Sequence, residues 1–264
     1  MLVDTVPDIL ARIVARKRDE LAQATISRTK LERLAEELRA GRREFRAALD
    51  RKTPAIIAEI KKASPSQGIL RAEFEAAALA REYQENGAAA ISVLTDGPFF
   101  QGSLADLRAA RQAVRLPALR KDFTLNEYHV VEAAANGADA VLLITAILDE
   151  KQIRDLRELA GAWGMAALIE VHNQRELKTA LDAGAEIVGV NNRNLKTLEV
   201  TLETSLRLAE DIPDGVLKIS ESWIHSREDI QRLEQAGFHA FLVGEHFLKA
   251  ASPGAALRAL AGPA

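Results

Sequence analysis

The chain has 264 residues, a formal charge of -3, 48% hydrophobic but only 5% aromatic residues, and no cysteine. That balance gives no broad basic field for nucleic acid and no polybasic arm for a membrane, and it excludes disulfides and thiolate chemistry. No apolar run approaches the roughly 18 residues of a membrane span and the N-terminus lacks a signal-type run, so a cytoplasmic protein with a small-molecule partner is expected.

From Pro7 to about Leu49 the periodicity is helical, with Ile9, Leu10, Ile13, Val14 and Leu21 on one stripe and Leu31, Leu34 and Leu38 on the next. Asp4 or Asp8 is a candidate cap for the first helix, and Gly41 for the end of the second. Residues 1–50 therefore read as a helical extension packed on the main domain, residues 51–264, with a monomer as the expected state.

Beyond residue 50 short apolar runs alternate with helical segments. The runs are Ala55 to Ile60, Ala88 to Leu94, Pro117 to Leu119, Ala138 to Ile144, Met165 to Ile169, Ile187 to Val190, Val216 to Ile219 and Ala240 to Val243. A phrase recurs before four of them, with Gly87, Gly137, Gly184 and Gly237 at the position where a helix ends in a left-handed residue. Eight strands alternating with helices at roughly 25 to 30 residues per unit predict a (β/α)8 TIM barrel with an N-terminal helical extension. An open doubly wound sheet is the alternative; no G-x-G-x-x-G follows the first strand, which disfavours its dinucleotide-binding form.

In such a barrel, chemistry collects where the strands end. The first ends in Glu59 and Lys61, two residues apart and so on one face, before the turn residues Ser64 and Pro65. The second is followed by Phe100; the third ends in Lys121, Asp122 and Phe123; the fifth in Glu170 and His172; the sixth in Asn191, Asn192 and Arg193. The seventh ends in Glu221 and Ser222, and the eighth in Gly244 and Glu245. Single charges at strand ends are ordinarily solvated loop residues. Five on strands one, three, five and seven under one positional rule point to acid–base chemistry, with neighbours tuning one another. Gly244 before a helix start offers free backbone N–H groups, which favours a phosphorylated substrate. The five histidines show no metal-ligand spacing, so no metal is expected.

Taken in order, I-A-E-I-K-K-A-S-P-S, V-L-T-D with F-F-Q-G-S, L-R-K-D-F, A-D-A-V-L-L-I, L-I-E-V-H, G-V-N-N-R-N-L, I-S-E-S and F-L-V-G-E resemble the indole-3-glycerol phosphate synthase family of tryptophan biosynthesis. The resemblance runs from about residue 50 to 248 and implies closure of an indole ring. The substrate would be 1-(2-carboxyphenylamino)-1-deoxyribulose 5-phosphate, with loss of carbon dioxide and water and no cofactor. It implies Lys121 as general acid on the ketone, kept protonated near Glu59, and Glu170 as base in the dehydration. Lys61 would hold the substrate's charged groups and protonate the leaving hydroxyl, and Glu59 would stabilise positive charge on the substrate nitrogen. Asn191, Arg193, Glu221 and Ser222 would orient these groups. Ser64, Pro65, Phe100, Phe123, Leu142 and Leu195 would receive the substrate, the apolar ones forming the anthranilate slot.

Lys61, Gly244, Glu245 and the backbone at Trp223 would bind the phosphate. Two departures bear on that site: Trp223 stands where the family has glycine, and His246 where a small residue is usual. The expectation is a cradle partly blocked by the indole. Two other readings remain: a variant that is impaired, redirected or only binds ligand, and another phosphosugar barrel such as phosphoribosylanthranilate isomerase. The latter is disfavoured because such isomerases tend to use a Cys and Asp pair.

Overall fold

The computed structural model describes residues 8–50, 54–65, 67–71, 73–193 and 200–262. Eight strands form a closed barrel: β1 (Ala55–Ile60), β2 (Ala90–Leu94), β3 (Ala118–Lys121), β4 (Ala140–Ile144), β5 (Ala166–Val171), β6 (Ile187–Asn191), β7 (Leu217–Glu221) and β8 (Ala240–Val243). Each pairs in parallel with its neighbours in chain order, and β8 closes on β1 with Ala58 opposite Val243. Helices fill the connections, as the alternation predicts. Gly87, Gly137, Gly184 and Gly237 all have φ between 80° and 91°, the left-handed turn that ends a helix.

Because side chains alternate across a strand, one parity faces the barrel interior and the other the surrounding helices. Ile57, Leu119, Leu168 and Ile219 fill the interior, while Ile56, Ala58, Ile60 and Val93 belong to the layer under the helices. Two residues beyond the interior four, on the same parity, stand Glu59, Lys121, Glu170 and Glu221. They come from the alternate strands β1, β3, β5 and β7, the pattern by which barrel layers of four are built. The topmost interior layer is therefore ionic where the one below is aliphatic.

The extension is three helices where the sequence marks two: α1 (Asp8–Ala22), α2 (Arg28–Arg39), which ends just before Gly41, and α3 (Phe45–Leu49). Ser27 caps α2 through its side chain, and the break at residues 40 to 44 lets the chain turn under the barrel. The candidate cap Asp4 lies outside the described residues, and α1 begins at Asp8 itself. Phe45 and Leu49 close the N-terminal end of the barrel against Ala55, Ala90 and Leu217. Arg42 donates to the carbonyls of Ala138 and Ala134 at 2.8 and 2.6 Å, and Arg43 to that of Leu116 at 2.6 Å. A buried carbonyl that keeps its partner avoids a desolvation cost of about 1–3 kcal/mol, so these guanidinium groups tie the extension to the loops they satisfy.

Candidate active site

The ionic layer is organised around Lys121. Its ammonium donates to Glu170 Oε2 and to Glu221 Oε2, 2.8 Å each, and all three side chains are largely buried. Glu59, expected to lie near Lys121 and keep it protonated, acts on it through its charge and not through a hydrogen bond. Glu59 pairs with Lys61 at 2.5 Å and reaches Lys121 only as a more distant charge. The physical reason is local: Lys61 lies two residues on from Glu59, on the same face and nearer than anything on β3.

Burial alone pulls the Lys121 ammonium down, but the charges of Glu170, Glu221 and Glu59 outweigh it and hold the pKa well above the ordinary value. Burial pushes Glu170 up, and here the Lys121 charge and His172 win, leaving it well below the carboxylate range. Glu221 goes the other way. Burial and the neighbouring Glu170 charge outweigh Lys121 and push it up to about 7, and its Oε1 has no hydrogen-bond partner among the described residues. Two carboxylates on one ammonium thus differ in affinity for a proton, the arrangement that separates acid and base roles.

Glu170 is held from behind by His172, named from the sequence only as a strand-end residue, and by Glu176 and Thr145, which the strand ends do not reveal. His172 Nε2 is 3.3 Å from Glu170 Oε1, an ion-pair distance without hydrogen-bond alignment, and its Nδ1 is 2.9 Å from Glu176 Oε2. Thr145 Oγ1 lies 2.7 Å from the Glu170 carbonyl and 2.9 Å from Glu176 Oε2. Burial lowers His172, but the two glutamates outweigh that and raise it to about 9, so it stands as an imidazolium between them. The visible signal was the i, i+4 spacing of His172 and Glu176 across the start of helix Gln174–Asp182.

Room for the layer comes from two glycines. A Cβ at Gly189 on β6 would collide with Glu221 Oε1 and sit 3.0 Å from Leu168 Cδ1. One at Gly244 would collide with Glu59 Oε1 and lie 2.9 Å from its Cβ. Close approach, not left-handed backbone, is why glycine stands at 244, where φ is -132°.

The layer floors a cavity of about 640 Å³. Every site residue that the family resemblance implies lines it except Leu195, which lies outside the described residues; the strand-end residues His172 and Asn192 do not line it. Pro65, Phe100, Phe123 and Leu142 bring apolar surface, and the Phe100 and Phe123 rings lie 6.1 Å apart. Ser64 borders the same space from the short hairpin after β1. Ser222 donates to Asn191 Oδ1 at 3.0 Å, and the Arg193 backbone N–H donates to the same oxygen at 3.0 Å, so the ends of β6 and β7 brace each other. The Arg193 guanidinium stands 3.8 Å from Glu245.

Ile9, Leu10 and Ile13 of α1 roof the cavity, a role that their stripe alone did not reveal. The roof is pinned by Lys17, 5% exposed, whose ammonium lies 3.0 Å from Asp122 and 3.1 Å from Asp96. Asp122 directly follows Lys121, so the latch fastens to the end of the strand that carries the central lysine.

At the far end the cavity meets the loops after β7 and β8. Ser222 and Trp223 both have positive φ, 70° and 61°. The sequence reading expected the indole to block this end. Instead Trp223 takes the left-handed backbone and turns its ring outward, 51% exposed and edge-on to His225 at 4.8 Å. Among the described residues the backbone N–H groups of Trp223, Ile224, Glu245 and His246 have no hydrogen-bond acceptor.

What the fold and the Lys121 cluster define is a (β/α)8 barrel with a buried cluster of acidic and basic side chains at the ends of its strands. Among solved structures, 3-hexulose-6-phosphate synthase superposes with a TM-score of 0.62 over 78% of this chain and 98% of its own, at 18% identity. The N-acetylmannosamine-6-phosphate 2-epimerase from Clostridium perfringens gives 0.61 over 77% and 92%, at 16% identity. At that identity they share the fold alone. The chain itself belongs to the indole-3-glycerol phosphate synthase family, whose profile matches residues 10–260. It is 52% identical to the indole-3-glycerol phosphate synthase of Koribacter versatilis (strain Ellin345), over 93% of this chain and 95% of that protein. It is 50% identical to that of Chromobacterium violaceum, over 96% and 97%.

Proposed function

We propose that the chain closes the indole ring of 1-(2-carboxyphenylamino)-1-deoxyribulose 5-phosphate, releasing carbon dioxide and water and forming indole-3-glycerol phosphate. The observation that carries the reading is the Lys121 ammonium, shared at 2.8 Å by Glu170 and Glu221 on the floor of an apolar-walled cavity. The anthranilate ring lies between Phe100, Phe123, Leu142 and Pro65, under Ile9, Leu10 and Ile13. The phosphate lies at the β7 and β8 loops, against their unpaired backbone N–H groups and within reach of Lys61.

Lys121 gives its proton to the ketone oxygen as the aromatic carbon bearing the carboxylate attacks the carbonyl carbon. A carbon–carbon bond forms and the ketone becomes a hydroxyl. Glu59 faces the positive charge that develops on the ring nitrogen, where a fixed anion stabilises the transition state. The carbon–carboxylate bond then breaks, its electron pair returning to the ring. In the last stage Glu170 removes a proton from the ring being made aromatic, and Lys61 protonates the hydroxyl that leaves as water. Glu170 is kept ionised by Lys121 and His172, the state a base requires. Ser222, Asn191 and Arg193 orient the substrate, and Glu221 holds Lys121 in line. The site is complete within one chain, which supports a monomer as the working unit, and the reading assigns it to the cytoplasm.

The test is growth of indole fluorescence when the purified chain meets the substrate. Lys121→Met is expected to lower kcat by at least about a hundredfold while leaving the melting transition in place. A variant keeping more than a tenth of the parent rate removes Lys121 from the acid role. A parent chain that binds the substrate without turning it over leaves only the binding-barrel reading. In single turnovers, Glu170→Gln is expected to slow product appearance more than substrate consumption.

A further inference from the structure

Two imidazoles stand at the phosphate end of the cavity. His225 follows β7 and His246 follows β8, and both line the cavity with ring centres 5.8 Å apart. Trp223 stands edge-on to His225 at 4.8 Å, and Phe247 to His246 at 5.7 Å. The row of ring contacts holds the two imidazoles in place. Among the described residues no hydrogen bond engages a ring nitrogen of either histidine.

The charged groups around them are already matched. Asp229 Oδ2 accepts the backbone N–H groups of His225 and Ser226, 3.0 Å each. Glu245 is paired with Lys249 at 2.5 Å and faces Arg193, and Lys61 is paired with Glu59. Each permanent cation at this end has a carboxylate beside it, so the imidazoles are where positive charge can still be added.

We propose that His225 and His246 form a specificity pair for the substrate's phosphate, His246 taking up a proton as the dianion arrives beside them. This rests on reading that end of the cavity as the phosphate site. Without ligand, burial first and then the neighbouring His225 hold His246 below the ordinary imidazole value, with Asp229 opposing. A dianion within about 4–6 Å reverses that balance and raises an imidazole by roughly 1–3 units. Binding that takes up a proton strengthens as pH falls. The gain grows as pH falls toward neutrality and ends where the phosphate monoester itself protonates, at about pH 6.

The experiment is calorimetry with an unreactive analogue whose ketone is reduced to an alcohol, prepared with and without the phosphate, in two buffers of different ionisation enthalpy at pH 7.5. Protons taken up by the ionic layer appear with both analogues and subtract out. The phosphate-dependent remainder is expected to be about half a proton or more in the parent chain. It should vanish in His246→Gln, which is also expected to bind the phosphorylated analogue about tenfold more weakly and the other unchanged. A parent chain that prefers the phosphorylated analogue but takes up no phosphate-dependent proton overturns the pair and spares the site. Equal binding of both analogues overturns the phosphate site itself. The parent measurement decides the matter even if a variant misfolds.

Discussion

Glu221 is the residue whose environment is most at odds with its charge, and its titration has a readable sign. Its folded pKa, about 7, lies above the ordinary glutamate value of about 4.3, so the native state favours its protonated form. The stabilisation is fully present below the unfolded pKa and is lost as pH rises through about 7. Glu221→Gln is therefore expected to be more stable than the parent at pH 8, with the gap closing as pH falls toward 4.5; urea midpoints across that range measure it. A constant gap would mean that Glu221 does not titrate there. Trp223 is the other departure at this scale. A bulky residue in the left-handed region costs about 1–2 kcal/mol, and glycine at the same φ does not. With the ring turned outward, Trp223→Gly is expected to change kcat/KM for the phosphorylated substrate by less than about threefold. A tenfold rise, about 1.4 kcal/mol of transition-state binding, would show that the indole obstructs the cradle after all.

At the scale of elements, α1 and β3 are coupled through one buried cation. Lys17 lies between Asp96 and Asp122, which are 0% and 4% exposed, and removing one partner of such a group strands the others. The cost of that is about 3–5 kcal/mol. Asp122 keeps Arg120 at 3.0 Å, so Lys17→Met is expected at the lower end of that range, read from denaturant midpoints. Because α1 roofs the cavity, the same variant should raise KM more than it lowers kcat. A loss of stability with unchanged KM would make the latch structural only. Strands β6 and β7 are coupled by close approach. Gly189→Ala pushes on the Glu221 carboxylate and on Leu168, and overpacking of this kind costs about 1–3 kcal/mol. It is expected to lower kcat as well, by moving a carboxylate that holds Lys121.

For the molecule as a whole, the chain alone determined the kind of object this is. Alternation of apolar runs with helical segments, and glycines where helices end, follow from local backbone physics and are legible without neighbours. So is the placing of Glu59, Lys121, Glu170 and Glu221 at strand ends, because a period of two carries the interior parity one step past the last aliphatic residue. Pairing within that set is another matter. Lys121 sits between Glu170 and Glu221 because closing the barrel sets the stagger between strands, and stagger has no signature in any single strand. The same closure decided that Gly189 makes room for a carboxylate on the next strand, and that the apolar face of α1 lies over the mouth of the site. It also decided that the indole of Trp223 points to solvent. Each of these depends on distances between segments far apart in the chain, and such distances exist only once the barrel has closed.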